Sequence, residues 1–75
     1  MEIYRDGNHD SGVRGFEIRE GQIDVHFKTG AVYRYTTSSV GAVNFHQMIT
    51  LARAGDGLNA FINSVVKDLY AARLR

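Results

Sequence analysis

Ile23-Asp24-Val25-His26-Phe27-Lys28-Thr29-Gly30-Ala31-Val32-Tyr33-Arg34-Tyr35 is the stretch whose reading decides the fold. Ile23, Val25 and Phe27 alternate with Asp24, His26 and Lys28, the period-two pattern of a half-buried strand. After a turn signal at Thr29-Gly30 the alternation resumes, with Ala31, Tyr33 and Tyr35 on one face and Val32, Arg34 and Thr36 on the other. A two-residue Thr29-Gly30 turn would force the β-branched Thr29 to positive φ, whereas a Lys28-Thr29-Gly30 loop asks this of Gly30 alone. The longer loop sets Val25 opposite Tyr33, Ile23 opposite Tyr35, and Asp24 opposite Arg34 as a cross-strand ion pair. The other register would set Asp24 against Tyr35 and expose both tyrosines.

Working back, Val13 to Arg19 reads as the preceding strand, with Phe16 and Ile18 facing the core and Glu17 and Arg19 facing out. A Glu20-Gly21 turn pairs Ile18 with Ile23 and Phe16 with Val25, so three strands present one continuous apolar face. Val13 is out of phase with Phe16, and Gly15 between them marks a bulge. Residues 1–12 are turn-rich and polar after Ile3-Tyr4, and read as a mobile arm that holds at most a short edge strand at Ile3-Tyr4.

Working forward, the period changes after Tyr35. Thr36-Thr37-Ser38-Ser39 supplies oxygen acceptors for a helix start, with either serine as N-cap. Phe45, Met48, Ile49 and Ala52 recur at helical spacing, widened by Val43 and Leu51, and predict a helix from about Ser39 to Ala54. Gly55 suits a left-handed stop, and Asp56 or Asn59 suits the cap of a second helix. That helix carries Leu58, Phe61, Ile62, Val65, Leu69 and Ala72 as its stripe, with Val66 and Tyr70 beside it and Arg73 and Arg75 at its negative pole. The expected fold is therefore α+β, a three-stranded antiparallel meander followed by two helices packed on one face. Residues 13–75 form its single domain.

The chain's 75 residues lie near the lower limit for independent folding, where about 60% of the unfolded chain's surface becomes buried. The net charge is only +1, which makes no strong electrostatic case for nucleic acid or an anionic membrane. No cysteine is present, so disulfides and thiolate zinc sites are excluded. Residues 1–12 hold no apolar h-region and no apolar run is long enough to span a bilayer, so a cytoplasmic protein without a membrane partner is expected.

Phe27-Lys28-Thr29-Gly30-Ala31-Val32-Tyr33-Arg34-Tyr35 resembles the F-x-x-G-x-x-Y-x-Y centre of the KTSC domain, a short bacterial domain named for the C-terminus of some lysyl-tRNA synthetases. Ser11 and Phe16 extend the similarity upstream, and Ala52 to Gly57 followed by Phe61, Ile62 and Asn63 extends it downstream. The family's V-P pair after the second tyrosine is replaced here by Thr37-Ser38-Ser39, and the stretch from Tyr35 to Gly57 is longer, which marks a divergent stand-alone member. The resemblance implies no activity. Through the synthetase context it points to RNA or a tRNA-related assembly as partner, an analogy of location rather than of a site.

The residues themselves offer three kinds of chemistry. Tyr33 and Tyr35 flank Arg34, and if displayed they would make a stacking platform for single-stranded nucleic acid; the preferred register instead buries both. Arg14, Arg19, Lys28 and Arg34 are the cations of a candidate basic patch, interleaved with Glu17, Glu20 and Asp24. His9, Asp10, His26 and His46 lack metal-ligand spacing, so no metal site or cofactor is expected. His9, Asp10 and Ser11 lie on the arm, a poor place to hold catalytic geometry, and Gly55-Asp56-Gly57 lacks the lysine and buried strand of a phosphate loop. The expected function is a non-enzymatic binding module, with RNA favoured. The alternative is a self-associating or protein-binding module that extends its sheet at an open edge.

Overall fold

The computed structural model describes residues 1–6 and 12–75. It is an α+β fold whose antiparallel sheet has five strands in sequence order: β1 (Glu2–Ile3), β2 (Val13–Arg19), β3 (Gln22–Phe27), β4 (Val32–Thr36) and β5 (Ala72–Arg73). Between β4 and β5 come α1 (Thr37–Val40), α2 (Ala42–Ala54), α3 (Leu58–Phe61) and a single π turn, Ile62–Val66.

The central hairpin takes the register that the turn chemistry favours. Val25 pairs with Tyr33, Ile23 with Tyr35 and Asp24 with Arg34. Phe27 N–H donates to the Ala31 carbonyl at 2.8 Å and closes the Lys28-Thr29-Gly30 loop, in which Gly30 takes φ +95°. Between β2 and β3, Phe16 meets Val25 and Ile18 meets Ile23, and the register shifts between Val13 and Gly15, so Arg14 is the extra residue of a bulge.

The sheet has five strands, not three: one addition falls beside the short edge strand that the sequence allows at Ile3-Tyr4, and the other falls in the segment expected to be the second helix. Glu2–Ile3 pairs with Gly15 and Phe16 of β2, and the next residue, Tyr4, is buried in the core. The start of the expected arm is thus built into the sheet, while positions 7–11, which include His9, Asp10 and Ser11, lie outside the described residues. At the opposite edge, Ala71 N–H donates to the Arg34 carbonyl and Leu74 N–H to the Val32 carbonyl, which places Ala72 and Arg73 beside β4.

That pairing corrects the second helix. It starts at Leu58, between the starts that a cap at Asp56 or at Asn59 would give, but ends its α-helical winding at Phe61, widens into the π turn and stops at Lys67. Val65-Val66 crowds β-branched side chains against the preceding turn, which weakens continued α-helix. The tail can then satisfy an edge strand that would otherwise show unpaired backbone groups. Val65 and Leu69 are consequently exposed, and Arg73 and Arg75 cap no helix.

The first helix is also divided. Thr36, rather than either serine, is the N-cap: its hydroxyl accepts from Ser39 N–H at 3.0 Å while Ser39 Oγ accepts from Thr36 N–H at 2.9 Å, a reciprocal capping box. Gly41 at φ +87° breaks α1 from α2. On α2, Phe45, Met48 and Ala52 are buried and Val43, two residues before Phe45 and so on the far side of the helix, is exposed. Gly55 ends α2 in the left-handed region, and a Cβ there would lie 2.6 Å from Arg5 Cβ, so both conformation and space require glycine. Neither Asp56 nor Asn59 caps α3. The cap residue is Gly57, and the Tyr4 hydroxyl accepts the Leu58 N–H at 3.2 Å instead.

The helices cover one sheet face, where Val13, Phe16, Ile23, Val25 and Tyr35 meet Val40, Phe45, Met48, Leu58, Ile62 and Val66. No helix among the described residues is long and apolar enough to cross a membrane.

Candidate functional site

Alternation along β4 sends Tyr33 and Tyr35 to the helix-covered face, but they end differently. Tyr35 is buried at 1% exposure, whereas Tyr33 is only half-buried beyond the shelter of the core. The rings around Tyr33 stand edge to face: Phe27 at 5.7 Å and Tyr70 at 4.7 Å between centroids, with Tyr70 also 6.5 Å from Tyr35. Arg73 pairs with Tyr33 across the sheet and sets its guanidinium carbon 5.4 Å from the ring centroid.

These groups, with Ile62 and Asn63 of the π turn and Lys67 and Asp68 just beyond it, line a cleft of about 550 Å³. Lys67 N–H reaches the Ile62 carbonyl at 2.6 Å, the five-residue reach of a π turn, and its own backbone adopts φ +44°, ψ −114°. A non-glycine residue held there is strained, and π turns and strained backbone concentrate at functional sites.

Burial pushes the Tyr35 phenol up to about 12, helped by the neighbouring Tyr33 and Tyr70, so the floor of the cleft stays neutral across the physiological range. The cations in its walls are Lys67 and Arg73; Asp68 is its one carboxylate among the described residues. A lining of aromatic rings and a few polar side chains suits a planar ligand.

The cations singled out in the sequence do not converge on this cleft. Arg34 lies on the opposite sheet face, where Nε and a terminal nitrogen donate to the two Asp24 oxygens at 2.8 and 3.1 Å; that hydrogen bond and the adjacent charge raise the guanidinium pKa. Asp24 is buried at 6% exposure under this bidentate pair. Arg19 bonds Glu17 at 3.1 Å, and His26 Nε2 lies 3.8 Å from the same carboxylate. Lys28 bonds Asp6 at 2.9 Å. Arg14 is exposed at the bulge. The outer face is a row of mutually paired charges, while Tyr33 and Tyr35 belong to the cleft.

Lys67, Asp68, Tyr70 and Arg73 are hidden in the sequence by the helical spacing of residues 62–75. The signal available is the alternation of Ala72 and Leu74 with Arg73 and Arg75, a strand pattern set after a β-branched run. No group of three or more histidine, aspartate or glutamate side chains that could hold a metal ion occurs among the described residues. No family model, no curated protein and no solved structure matches the chain.

Proposed function

We propose that the protein is a non-enzymatic binding module for single-stranded RNA that accepts a base in the cleft between β4–β5 and the π turn. One observation carries this reading: Tyr33 lines an open aromatic cleft with Arg73 at its ring and Lys67 among the lining residues. Ring faces stack any base, and guanidinium and ammonium groups receive the phosphate. The resemblance to the KTSC domain, with its synthetase context, points the same way. Arg14 supplies diffuse positive charge, whereas Arg19, Lys28 and Arg34 are held by carboxylates.

The test is an anisotropy titration of labelled single-stranded RNA and tRNA at two salt concentrations. Tyr33→Ala and Arg73→Ala should each weaken binding, the former by about 1–3 kcal/mol for a lost stacked base. Arg19→Ala should leave it unchanged. Binding that survives Tyr33→Ala intact, or its absence at the lower salt, would refute the reading. A second reading, self-association by extension of the sheet, is favoured by the outermost strand β1, where Ile3 is 68% exposed. Concentration-dependent sedimentation abolished by Ile3→Lys would support it.

A further inference from the structure

We infer that the cleft selects guanine, with the Asp68 carboxylate as the group that reads the base. This rests on the base-binding reading above and adds the identity of the base. Among the four RNA bases, guanine alone presents two adjacent donors, N1–H and the exocyclic amino group, along its Watson–Crick edge. A carboxylate accepts both in parallel, the geometry that makes its bidentate hydrogen bonds strong. Adenine and cytosine set an acceptor beside their amino group, and uracil sets its single N–H between two carbonyls, so each would bring at least one lone pair against the carboxylate.

Asp68 is the one carboxylate lining the cleft among the described residues, and it has no ion pair there to compete for its oxygens. It follows Lys67, whose strained backbone ends the π turn and which also lines the cleft. Lys67, unlike Arg19, Lys28 and Arg34, has no carboxylate partner among the described residues, and Arg73 spends only its Nε–H, on the Arg75 oxygen at 2.8 Å, which leaves its terminal N–H groups to a ligand. The division of labour is then complete: Tyr33 and Tyr70 take the ring, Asp68 reads its edge, and Lys67 and Arg73 take the phosphate. At about 550 Å³ the cleft falls in the range of roughly 300–1,000 Å³ common to small-ligand sites.

The experiment measures binding of guanosine, adenosine, cytidine and uridine monophosphates to the full chain, by competition against labelled single-stranded RNA and by direct calorimetry. The guanine nucleotide should bind at least about tenfold more tightly than the other three, the discrimination expected of a bidentate contact. Asp68→Asn should erase that preference, because an amide turns a donor toward one of the two guanine donors. Asp68 is exposed, so the variant should keep the circular dichroism spectrum of the parent. Equal affinity for the four nucleotides, or a guanine preference that survives Asp68→Asn, overturns the inference; if RNA binding still depends on Tyr33, the base-binding reading stands without it. If neither RNA nor any mononucleotide binds, both fall together.

Discussion

Lys67 offers a direct test of whether the cleft is maintained at the expense of stability. Its φ of +44° with ψ of −114° lies where a side chain collides with its own backbone, yet the position holds lysine. Two anchors enforce the conformation: Val66, fully buried on one side, and the bonds Lys67 N–H to Ile62 carbonyl and Leu69 N–H to Val66 carbonyl around it. Strain of this kind costs on the order of 1–3 kcal/mol. Lys67→Gly and Lys67→Ala both remove the ammonium, but only glycine relieves the strain. Glycine returns about 0.4–1 kcal/mol to the unfolded chain. The glycine variant should therefore exceed the alanine variant by on the order of 1–2 kcal/mol. In a domain of this size each kcal/mol moves the melting midpoint by about 4–8 °C. Urea and thermal unfolding of the two variants, with equal denaturant slopes as the control for two-state behaviour, measure the difference. RNA affinity should fall equally in both, since both lose the same cation. A glycine variant no more stable than the alanine variant would show that the backbone at Lys67 is unstrained, and would remove one support for a functional cleft.

Two further substitutions test the frame around the site. Tyr4→Phe keeps a buried ring but leaves the Leu58 N–H without the hydroxyl it donates to, so it should cost about 1–3 kcal/mol in urea unfolding; an unchanged midpoint would show that the residue after β1 does not cap α3. Tyr35 folds as a neutral phenol with its pKa raised to about 12, so its contribution to stability is fully present below the ordinary phenol value of about 10 and is lost as pH rises through 12. Tyr35→Phe should flatten the stability profile in that window, and an unaltered slope would assign the alkaline transition to another group.

Legibility in the sequence depends on the kind of force that settles each element. The meander and its register are legible because three independent local terms agree: alternation, the conformational demand at Gly30, and the Asp24–Arg34 pair. The Gly15 bulge and the Gly55 stop are legible for the same reason, each being a backbone requirement written in one residue. The N-cap falls at Thr36 rather than at a serine, and the sequence does not mark it, because four consecutive hydroxyl side chains are equivalent until the strand's end is placed. The edge strands are legible only faintly: β1 is marked by the Ile3-Tyr4 pair alone, and the brief alternation at β5 is outweighed by the helical spacing of the residues around it.

The tail shows how such an error propagates into function. Residues 58–75 contain apolar side chains at helical spacing, and periodicity alone assigns them to a helix with Tyr70 on its flank and Arg73 at its end. Continuing that helix would leave the Val32 and Arg34 carbonyls on the outer edge of β4 unpaired; the tail satisfies both instead. The same exchange carries Tyr70 to within 4.7 Å of Tyr33 and brings Arg73 opposite it. The aromatic cleft is thus a product of edge pairing, a long-range event whose local trace is no more than the short alternation over Ala72 to Arg75. The basic patch suggested by the sequence fails to assemble for the converse reason. Alternation puts Arg34 and Arg19 on the face that also carries Asp24 and Glu17, and there Arg34 pairs with Asp24 across the strands while Arg19 pairs with Glu17 two residues away on its own strand. Arg73 reaches the other face because the tail docks: the bonds from Ala71 N–H and Leu74 N–H to the Arg34 and Val32 carbonyls help hold β5 beside β4, so under the proposed function any ligand that engages Arg73 also draws on the docking of the tail.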